Sequence, residues 1–342
     1  MNADKKMGIG PALLLILAAI FQIMQYGECS IKSRSDGAVS VQKETNMESK
    51  NKDFSLDTKI LAVMQDPAFA GFGRLIFPVD RPIDEKMTLQ DLGHVMLWYS
   101  HINPDRTVEI VNHLKHEAQE RKVFYDIYTE AEKAADPRKR NTGLFFFRGQ
   151  PGQKTAIVSA GGGFYYVGAM HDSFPHALEL SKRGYNAFAL IYRPDAQLAC
   201  EDLARAIAFI HEHSAELGVD VQNYSLWGGS AGARMSAWLG SLGTARFGEK
   251  PYPQPATVVM EYTGFTEVYG NEPPTYNCVG TSDSIAYYRV MEMRISQIRA
   301  QGTAAEIEVF PGLPHGFGLG EGTIGEGWLD HAVAFWERNS KQ

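Results

Sequence analysis

A serine lies at the centre of a glycine-rich pentapeptide in the second half of the chain. Ser230 is the third residue of "GGSAG". A serine hydroxyl is a weak nucleophile unless a base takes its proton and nearby donors stabilise the oxyanion that its attack creates. Small neighbours permit the sharp strand-to-helix turn that exposes such a serine. The alternative is a small residue in a tight loop, and the partners of Ser230 decide between the two.

An acid and a base follow this serine in the chain. Asp283 ends "NCVGTSD" and His315 lies in "VFPGLPHGFGLG", so that each lies in a loop after an apolar run. Asp283 is open to a second interpretation, because aspartate also caps helices and turns. Among the 10 histidines, His315 is the best placed, between the last predicted strand and the last predicted helix. We therefore predict a catalytic triad of Ser230, Asp283 and His315.

Backbone donors for the oxyanion are predicted at two places. The glycines of "AGGGF" allow their N–H groups to approach a substrate, and Gly162 and Gly163 are the candidates. The N–H of Ala231, at the start of the helix after the serine, is the third candidate. Phe164 and Tyr165 follow the glycine loop and are expected to contact substrate, with core packing as the alternative.

The predicted strands and helices place these residues on a mostly parallel sheet. Short apolar runs alternate with amphipathic runs, which indicates β-α-β units and a sheet covered by helices on both faces. The predicted strands are 123–128, 143–149, 155–160, 186–193, 224–228, 256–262, 275–280 and 305–310. The predicted helices are 107–121, 173–182, 200–217, 231–242, 285–300 and 325–339. Ligands of such sheets bind beyond the carboxyl ends of the strands, where the candidate residues lie.

Composition excludes several classes of function. Hydrophobic residues make up 44% of the chain and charged residues 21%, which is typical of a globular protein. The net charge of −7 argues against a nucleic-acid partner. Three cysteines are too few for a disulfide framework. His113 and His116 are three residues apart, but no third metal ligand is evident, so we expect no metal site.

The N-terminal third has a different character. Two lysines precede an apolar run at 9–24, which is shorter than the roughly 20 residues that span a bilayer. We predict a signal peptide or N-terminal anchor at 1–29, and hence a secreted or cell-envelope protein that meets a membrane only through that anchor. Residues 30–55 are predicted to be a flexible linker, 56–107 an N-terminal extension that could act as a lid, and 108–342 the catalytic domain.

From about residue 123 to its end, the sequence resembles an α/β-hydrolase. The closest branch is the esterase and acetylesterase-like one that includes hormone-sensitive-lipase-type enzymes. "AGGGF" is similar to the HGGGF oxyanion loop of that branch, "GGSAG" to its G-D-S-A-G elbow and "LPHGF" to its histidine loop. Tyr192 and Arg193 match its D-Y-R-x-x-P segment. The chain order serine, aspartate, histidine is also that of the fold.

This resemblance implies an acyl-enzyme mechanism without a cofactor, acting on small-molecule carboxylic esters with short acyl or acetyl groups. Two departures leave the substrate open: Ala160 stands at the loop histidine, and Gly229 at the elbow aspartate. A serine peptidase of the same fold is the second hypothesis, because ester and amide hydrolysis use the same triad. A non-catalytic binding protein of this fold is the third. The sequence does not indicate the oligomeric state.

Overall fold

Eight strands form one sheet in the computed structural model, which describes residues 52–340. The strands are β1 (Phe124–Tyr125), β2 (Gly143–Phe147), β3 (Lys154–Ser159), β4 (Asn186–Ile191), β5 (Asp220–Gly229), β6 (Thr257–Glu261), β7 (Thr275–Gly280) and β8 (Ala305–Phe310). Their order in the sheet is β1-β2-β4-β3-β5-β6-β7-β8. Strand β2 pairs antiparallel with β1 and β4, and all other pairs are parallel. The predicted mostly parallel sheet is confirmed.

Helices connect the strands in the described part of the chain. The α-helices are α1 (Ile60–Met64), α2 (Pro104–Glu120), α3 (Glu130–Ala135), α4 (Ala169–Asp172), α5 (Phe174–Lys182), α6 (Ala196–Glu212), α7 (Ser214–Leu217), α8 (Ala231–Leu242), α9 (Tyr288–Ala300) and α10 (Trp328–Asn339). Short 3₁₀ turns lie at Pro67–Phe69, Gly73–Leu75, Leu89–His94, Pro137–Asn141 and Thr244–Phe247.

The segment between β1 and β2 contains α3, which is absent from the predicted helices. Thr129 and Glu132 form a reciprocal capping box, in which the Thr129 hydroxyl accepts the Glu132 N–H and the Glu132 carboxylate accepts the Thr129 N–H. The sequence carried this signal, since Thr-x-x-Glu is the pattern of such a box. Two satisfied backbone donors stabilise a helix that is too short to show a hydrophobic period.

The helices cover both faces of the sheet. Adjacent residues of a strand point to opposite faces, so β5 shows what lies on each side. Trp227 packs its ring against Trp328 and Trp336 of α10. A Cβ on the next residue, Gly228, would instead lie 2.4 Å from the carbonyl carbon of Gly232 in α8. Strands covered on both faces are predominantly apolar, which explains runs such as "GLFFF" in β2.

Residues 53–103 pack against the same core as the sheet. The unit that begins at Asp53 includes this segment, and Phe72 stacks on Phe124 of β1 with 5.3 Å between the ring centroids. The predicted boundary after residue 107 falls inside α2, which begins at Pro104 with Asn103 as its cap. The predicted leader at 1–29 and most of the predicted linker at 30–55 lie outside the described residues. Among residues 52–340, no helix has the length and apolar character of a membrane span.

Candidate active site

Ser230 lies on a strained turn between β5 and α8. Its φ of 50° and ψ of −109° are uncommon for a residue with a side chain, and such strain is concentrated at functional sites. The turn requires small neighbours, since a Cβ on Gly232 would lie 1.9 Å from the Ser159 carbonyl oxygen. The geometry is that of a nucleophile elbow, which raises the serine hydroxyl above the ends of the strands.

The three predicted triad residues meet at the carboxyl edge of the sheet. Asp283 follows β7 and His315 follows β8. His315 Nε2 lies 3.1 Å from Ser230 Oγ, and His315 Nδ1 lies 2.7 Å from Asp283 Oδ2. Both the histidine and the aspartate are buried. With the proton on Nδ1 donated to the carboxylate, Nε2 is free to accept the proton of the serine hydroxyl.

The second carboxylate oxygen of Asp283 stabilises its own loop. Oδ1 accepts the backbone N–H of Ile285 at 2.8 Å and that of Ala286 at 2.6 Å. The interpretation of Asp283 as a turn cap and its interpretation as the partner of His315 are therefore compatible, because each uses a different oxygen. The cap also fixes the plane of the carboxylate toward the histidine.

The glycine loop after β3 places backbone donors next to the elbow. Gly162 has φ +122° and Gly163 has φ +63°, and a Cβ on Gly162 would lie 2.1 Å from the Tyr166 carbonyl oxygen. Glycine adopts such φ values most readily, and at Gly162 there is no room for a side chain. Within residues 52–340, no hydrogen bond to a protein acceptor uses the N–H of Gly162, Gly163 or Ala231. These three predicted donors are free to bind an oxyanion near Ser230.

A cavity of about 320 Å³ opens over the serine. It is lined by Leu97, Trp98, Tyr99, Gly162, Gly163, Ser230, Ile285 and His315. Three of these residues come from the N-terminal extension. The extension was predicted as a possible lid, but no motif or hydrophobic period in it identified these residues, because the sequence does not reveal which distant loop a turn will contact.

We call residues 97–100 the strap, and hydrogen bonds fix it to the histidine loop. The Ser100 N–H donates to the Gly316 carbonyl at 2.9 Å, and the Ser100 hydroxyl donates to the His315 carbonyl at 2.9 Å. At its other end, the Tyr166 hydroxyl donates to the Leu97 carbonyl at 2.5 Å. The strap therefore supports the backbone of His315 as well as forming one wall of the cavity.

The two aromatic residues predicted to contact substrate directly follow Gly163, which lines this cavity. Phe164 is partly buried and stacks on Trp238 of α8, with 6.4 Å between the ring centroids. Tyr165 is 59% exposed and lies edge-on to Trp98. Neither is among the described residues that line the cavity over Ser230, so their contact with substrate stays a prediction. Trp98 and Tyr99, which the sequence analysis missed, are aromatic residues that line it.

The paired histidines of α2 face different neighbours. His113 stacks on Phe147 with 5.7 Å between the ring centroids, whereas His116 Nε2 lies 2.6 Å from the Asp53 carboxylate. Within residues 52–340, no group of three histidine, cysteine, aspartate or glutamate side chains has a metal-binding arrangement.

A buried carboxylate, Asp172 at the end of α4, lies behind the glycine loop. It accepts the Gly161 N–H at 2.5 Å, the Tyr99 hydroxyl at 3.0 Å and the Tyr262 hydroxyl. Burial and, after it, the nearby Glu261 carboxylate raise the pKa of Asp172 to about 7. The three hydrogen-bond donors provide this buried acceptor with partners.

We expect this raised pKa to make the stability of the fold depend on pH. The pKa of Asp172 is higher in the folded protein than the ordinary 3.8, so the contribution of Asp172 to stability is present at low pH. It is lost as the pH rises from about 4 to about 7. Urea titrations at several pH values measure this loss. Over this window, the free energy of unfolding of the wild type should fall relative to that of Asp172→Asn by up to about 1.4 kcal/mol for each unit of rising pH. Parallel curves across this window would contradict the burial of an ionisable group here.

Comparisons with known proteins agree with this architecture. The BD-FAE family model matches residues 148–284, which is less than half of the chain. No curated protein sequence matches the chain. An acetyl ester-xyloside bifunctional hydrolase from Caldicellulosiruptor lactoaceticus superposes with a TM-score of 0.55 and 19% identity, covering 64% of this chain and 96% of its own. A propionate-bound esterase, Est2, from Thermogutta terrifontis gives a TM-score of 0.51 and 20% identity, covering 58% and 89%.

A third solved structure names the fold. MGS-M1, an α/β hydrolase enzyme from a Medee basin deep-sea metagenome library, superposes with a TM-score of 0.50 and 17% identity, covering 58% of this chain and 92% of its own. The chain has the α/β-hydrolase fold. In an α/β-hydrolase, ligands bind beyond the carboxyl ends of the parallel strands, and Ser230, Asp283 and His315 all lie at that edge. The predicted resemblance is confirmed at the level of the fold.

Proposed function

We propose that the protein is a serine esterase that hydrolyses small carboxylic esters with short acyl groups. One observation carries the proposal: two consecutive hydrogen bonds join Asp283 to His315 and His315 to Ser230 on a nucleophile elbow. Activation of a serine requires a base within reach of the hydroxyl and a third group that orients the base. Solved structures of ester hydrolases with the same fold lend support.

The proposed reaction begins with attack of Ser230 Oγ on the ester carbonyl. His315 Nε2 takes the hydroxyl proton while Asp283 holds the imidazole in the required tautomer. The N–H groups of Gly162, Gly163 and Ala231 stabilise the oxyanion, with each donor worth about 3–4 kcal/mol. The imidazolium then gives its proton to the departing alcohol, which leaves an acyl group on Ser230. Water activated by His315 releases that acyl group by the reverse sequence.

The cavity favours a short, apolar acyl group. Leu97, Trp98 and Ile285 supply its apolar walls, and its volume of about 320 Å³ is at the small end for a ligand pocket. The acetyl ester hydrolase and the propionate-bound esterase among the similar structures also support a preference for short acyl groups. A peptidase of the same fold would use the same triad, so the choice between ester and amide rests on measurement.

A substrate panel tests this proposal. We expect kcat/KM to be highest for p-nitrophenyl acetate or butyrate, lower for the octanoate, and at least 100-fold lower for an aminoacyl p-nitroanilide. An acetylated xyloside extends the panel to sugar esters. An anilide cleaved faster than every ester would replace the esterase with the peptidase. A folded protein that turns over no member of the panel would favour a binding function.

Substitution of Trp98 should weaken substrate binding more than chemistry. Its ring lines the cavity and lies over Gly163, where a Cβ would be 3.1 Å from Trp98 Cζ3. Loss of this apolar wall in Trp98→Ala should raise KM for p-nitrophenyl butyrate about tenfold and leave kcat within about threefold. Trp98→Phe keeps a flat apolar ring and should recover most of the loss. An unchanged KM in Trp98→Ala would show that substrate does not contact the strap.

A further inference from the structure

The residue before the nucleophile is a glycine, and the side chain of another residue occupies the space that its Cβ would take. Gly229 precedes Ser230 at the end of β5. A Cβ on Gly229 would lie 2.3 Å from Asp172 Oδ1 and 2.5 Å from Asp172 Oδ2. The backbone of Gly229 is not in the positive-φ region, so the obstacle to a side chain there is the Asp172 carboxylate itself.

The same carboxylate contacts the base of the glycine loop. Asp172 Oδ2 accepts the Gly161 N–H at 2.5 Å. A Cβ on Gly161 would lie 2.8 Å from Asp172 Oδ2 and 2.9 Å from Ser230 Cβ. The loop, the elbow and Asp172 are therefore in mutual contact at one point. Gly161 directly precedes Gly162 and Gly163, so the orientation of its peptide sets the direction in which their N–H groups point.

Two tyrosines connect Asp172 to the histidine side of the site. The Tyr262 hydroxyl donates to Oδ1, and the Tyr262 ring packs edge-on against His315 with 5.1 Å between the ring centroids. The Tyr99 hydroxyl, from the strap, donates to Oδ2 at 3.0 Å. A single buried carboxylate thus contacts groups from the glycine loop, the strap and the strand end that supports His315.

We propose that Asp172 is a positioning residue that fixes the glycine loop against the nucleophile elbow. Its carboxylate, which comes from α4, occupies the place that a side chain on Gly229 would take. The inference rests on the proposed esterase function. Asp172 does not touch the reacting atoms. It acts through Gly161, and it keeps the free N–H groups of Gly162 and Gly163 at the distance from Ser230 that oxyanion binding requires.

The test moves the carboxylate from α4 to the elbow. Asp172→Ala should lower kcat for p-nitrophenyl acetate at least tenfold with KM within about threefold, because the glycine loop acts on the transition state and not on substrate binding. Asp172→Asn keeps an acceptor for the Gly161 N–H and should stay within about threefold of the wild-type kcat. Active sites are counted with a fluorophosphonate, so that the values refer to folded protein.

The decisive variant combines the two substitutions. Gly229→Asp alone should lower Tm and activity, because its side chain overlaps Asp172. In the Asp172→Ala background, Gly229→Asp should raise Tm above that of Asp172→Ala alone. It should also raise kcat at least fivefold above that of Asp172→Ala alone. Rescue of folding by the second substitution supports the proposal equally, should Asp172→Ala fail to fold. Wild-type kcat in Asp172→Ala would overturn the proposal. A double variant whose Tm and kcat are no higher than those of either single variant would also overturn it.

These variants distinguish a failure of this proposal from a failure of the proposed esterase function. A wild-type protein that hydrolyses no ester would end the esterase assignment. The Tm values of the two single variants and the double variant still show whether the two positions share one space, because a double-mutant cycle measures that coupling without turnover.

Discussion

Ser230→Ala should lower kcat for p-nitrophenyl acetate by about 10⁵–10⁶-fold, the loss expected when the nucleophile of an acting triad is removed. The fold should be unaffected. Within residues 52–340, the hydrogen-bond partner of Ser230 Oγ is His315, and alanine retains the Cβ that the elbow already accommodates. The residual rate should come from the backbone donors and the cavity, which the substitution leaves in place.

An exposed serine in the acid loop provides the matched control. Ser284 lies between Asp283 and Ile285, and Ser284→Ala should keep wild-type kcat and KM. Equal Tm values for the two variants, measured by circular dichroism, would assign the loss in Ser230→Ala to chemistry. Ser230→Ala protein that keeps more than a few per cent of the wild-type rate would mean that another group is the nucleophile.

Asp283→Asn should lower kcat by about 10⁴-fold because it forces the wrong histidine tautomer. The amide can face only one way in this structure. The Ile285 and Ala286 N–H groups require an acceptor at the Oδ1 position, so the amide oxygen must stay there. The amide NH₂ then occupies the Oδ2 position and donates to His315 Nδ1. The imidazole proton moves to Nε2, which can no longer accept the proton of Ser230.

An aspartate with the same capping geometry controls for the structural effect. Asp195 Oδ1 accepts the N–H groups of Gln197 and Leu198, each at 3.0 Å, at the start of α6. It shares the turn-capping role of Asp283 without a histidine partner. Asp195→Asn should therefore leave kcat unchanged. Similar losses of rate in both variants, or an Asp283→Asn enzyme within tenfold of wild type, would contradict the assigned role of Asp283.

The sheet and the triad were predictable because local sequence determines them. Buried parallel strands are predominantly apolar, and their carboxyl ends share one edge, so the positions of Ser230, Asp283 and His315 after three such strands predicted that they meet. The flanking glycines of the elbow follow from a turn that has no room for a Cβ. These features depend on neighbours close in the chain or on the direction of parallel strands.

The strap and Asp172 were not predictable, because long-range packing positions them. The hydrogen bond from Ser100 to the His315 carbonyl joins residues 215 positions apart, and neither residue type indicates it. The sequence shows only that Gly229 lacks a side chain, and says nothing of the Asp172 carboxylate that fills its place. The prediction that Tyr165 contacts substrate followed its position in the chain, whereas Trp98 lines the cavity from a segment with no recognisable pattern.

Covalent labelling with a fluorophosphonate tests the central claim most directly, that His315 and Asp283 activate Ser230. We predict a single adduct by intact mass, mapped to Ser230 by peptide sequencing, absent from Ser230→Ala, and formed much more slowly in Asp283→Asn than in Asp195→Asn. Folded wild-type protein that takes up no label, or that carries it on a residue other than Ser230, would contradict the account.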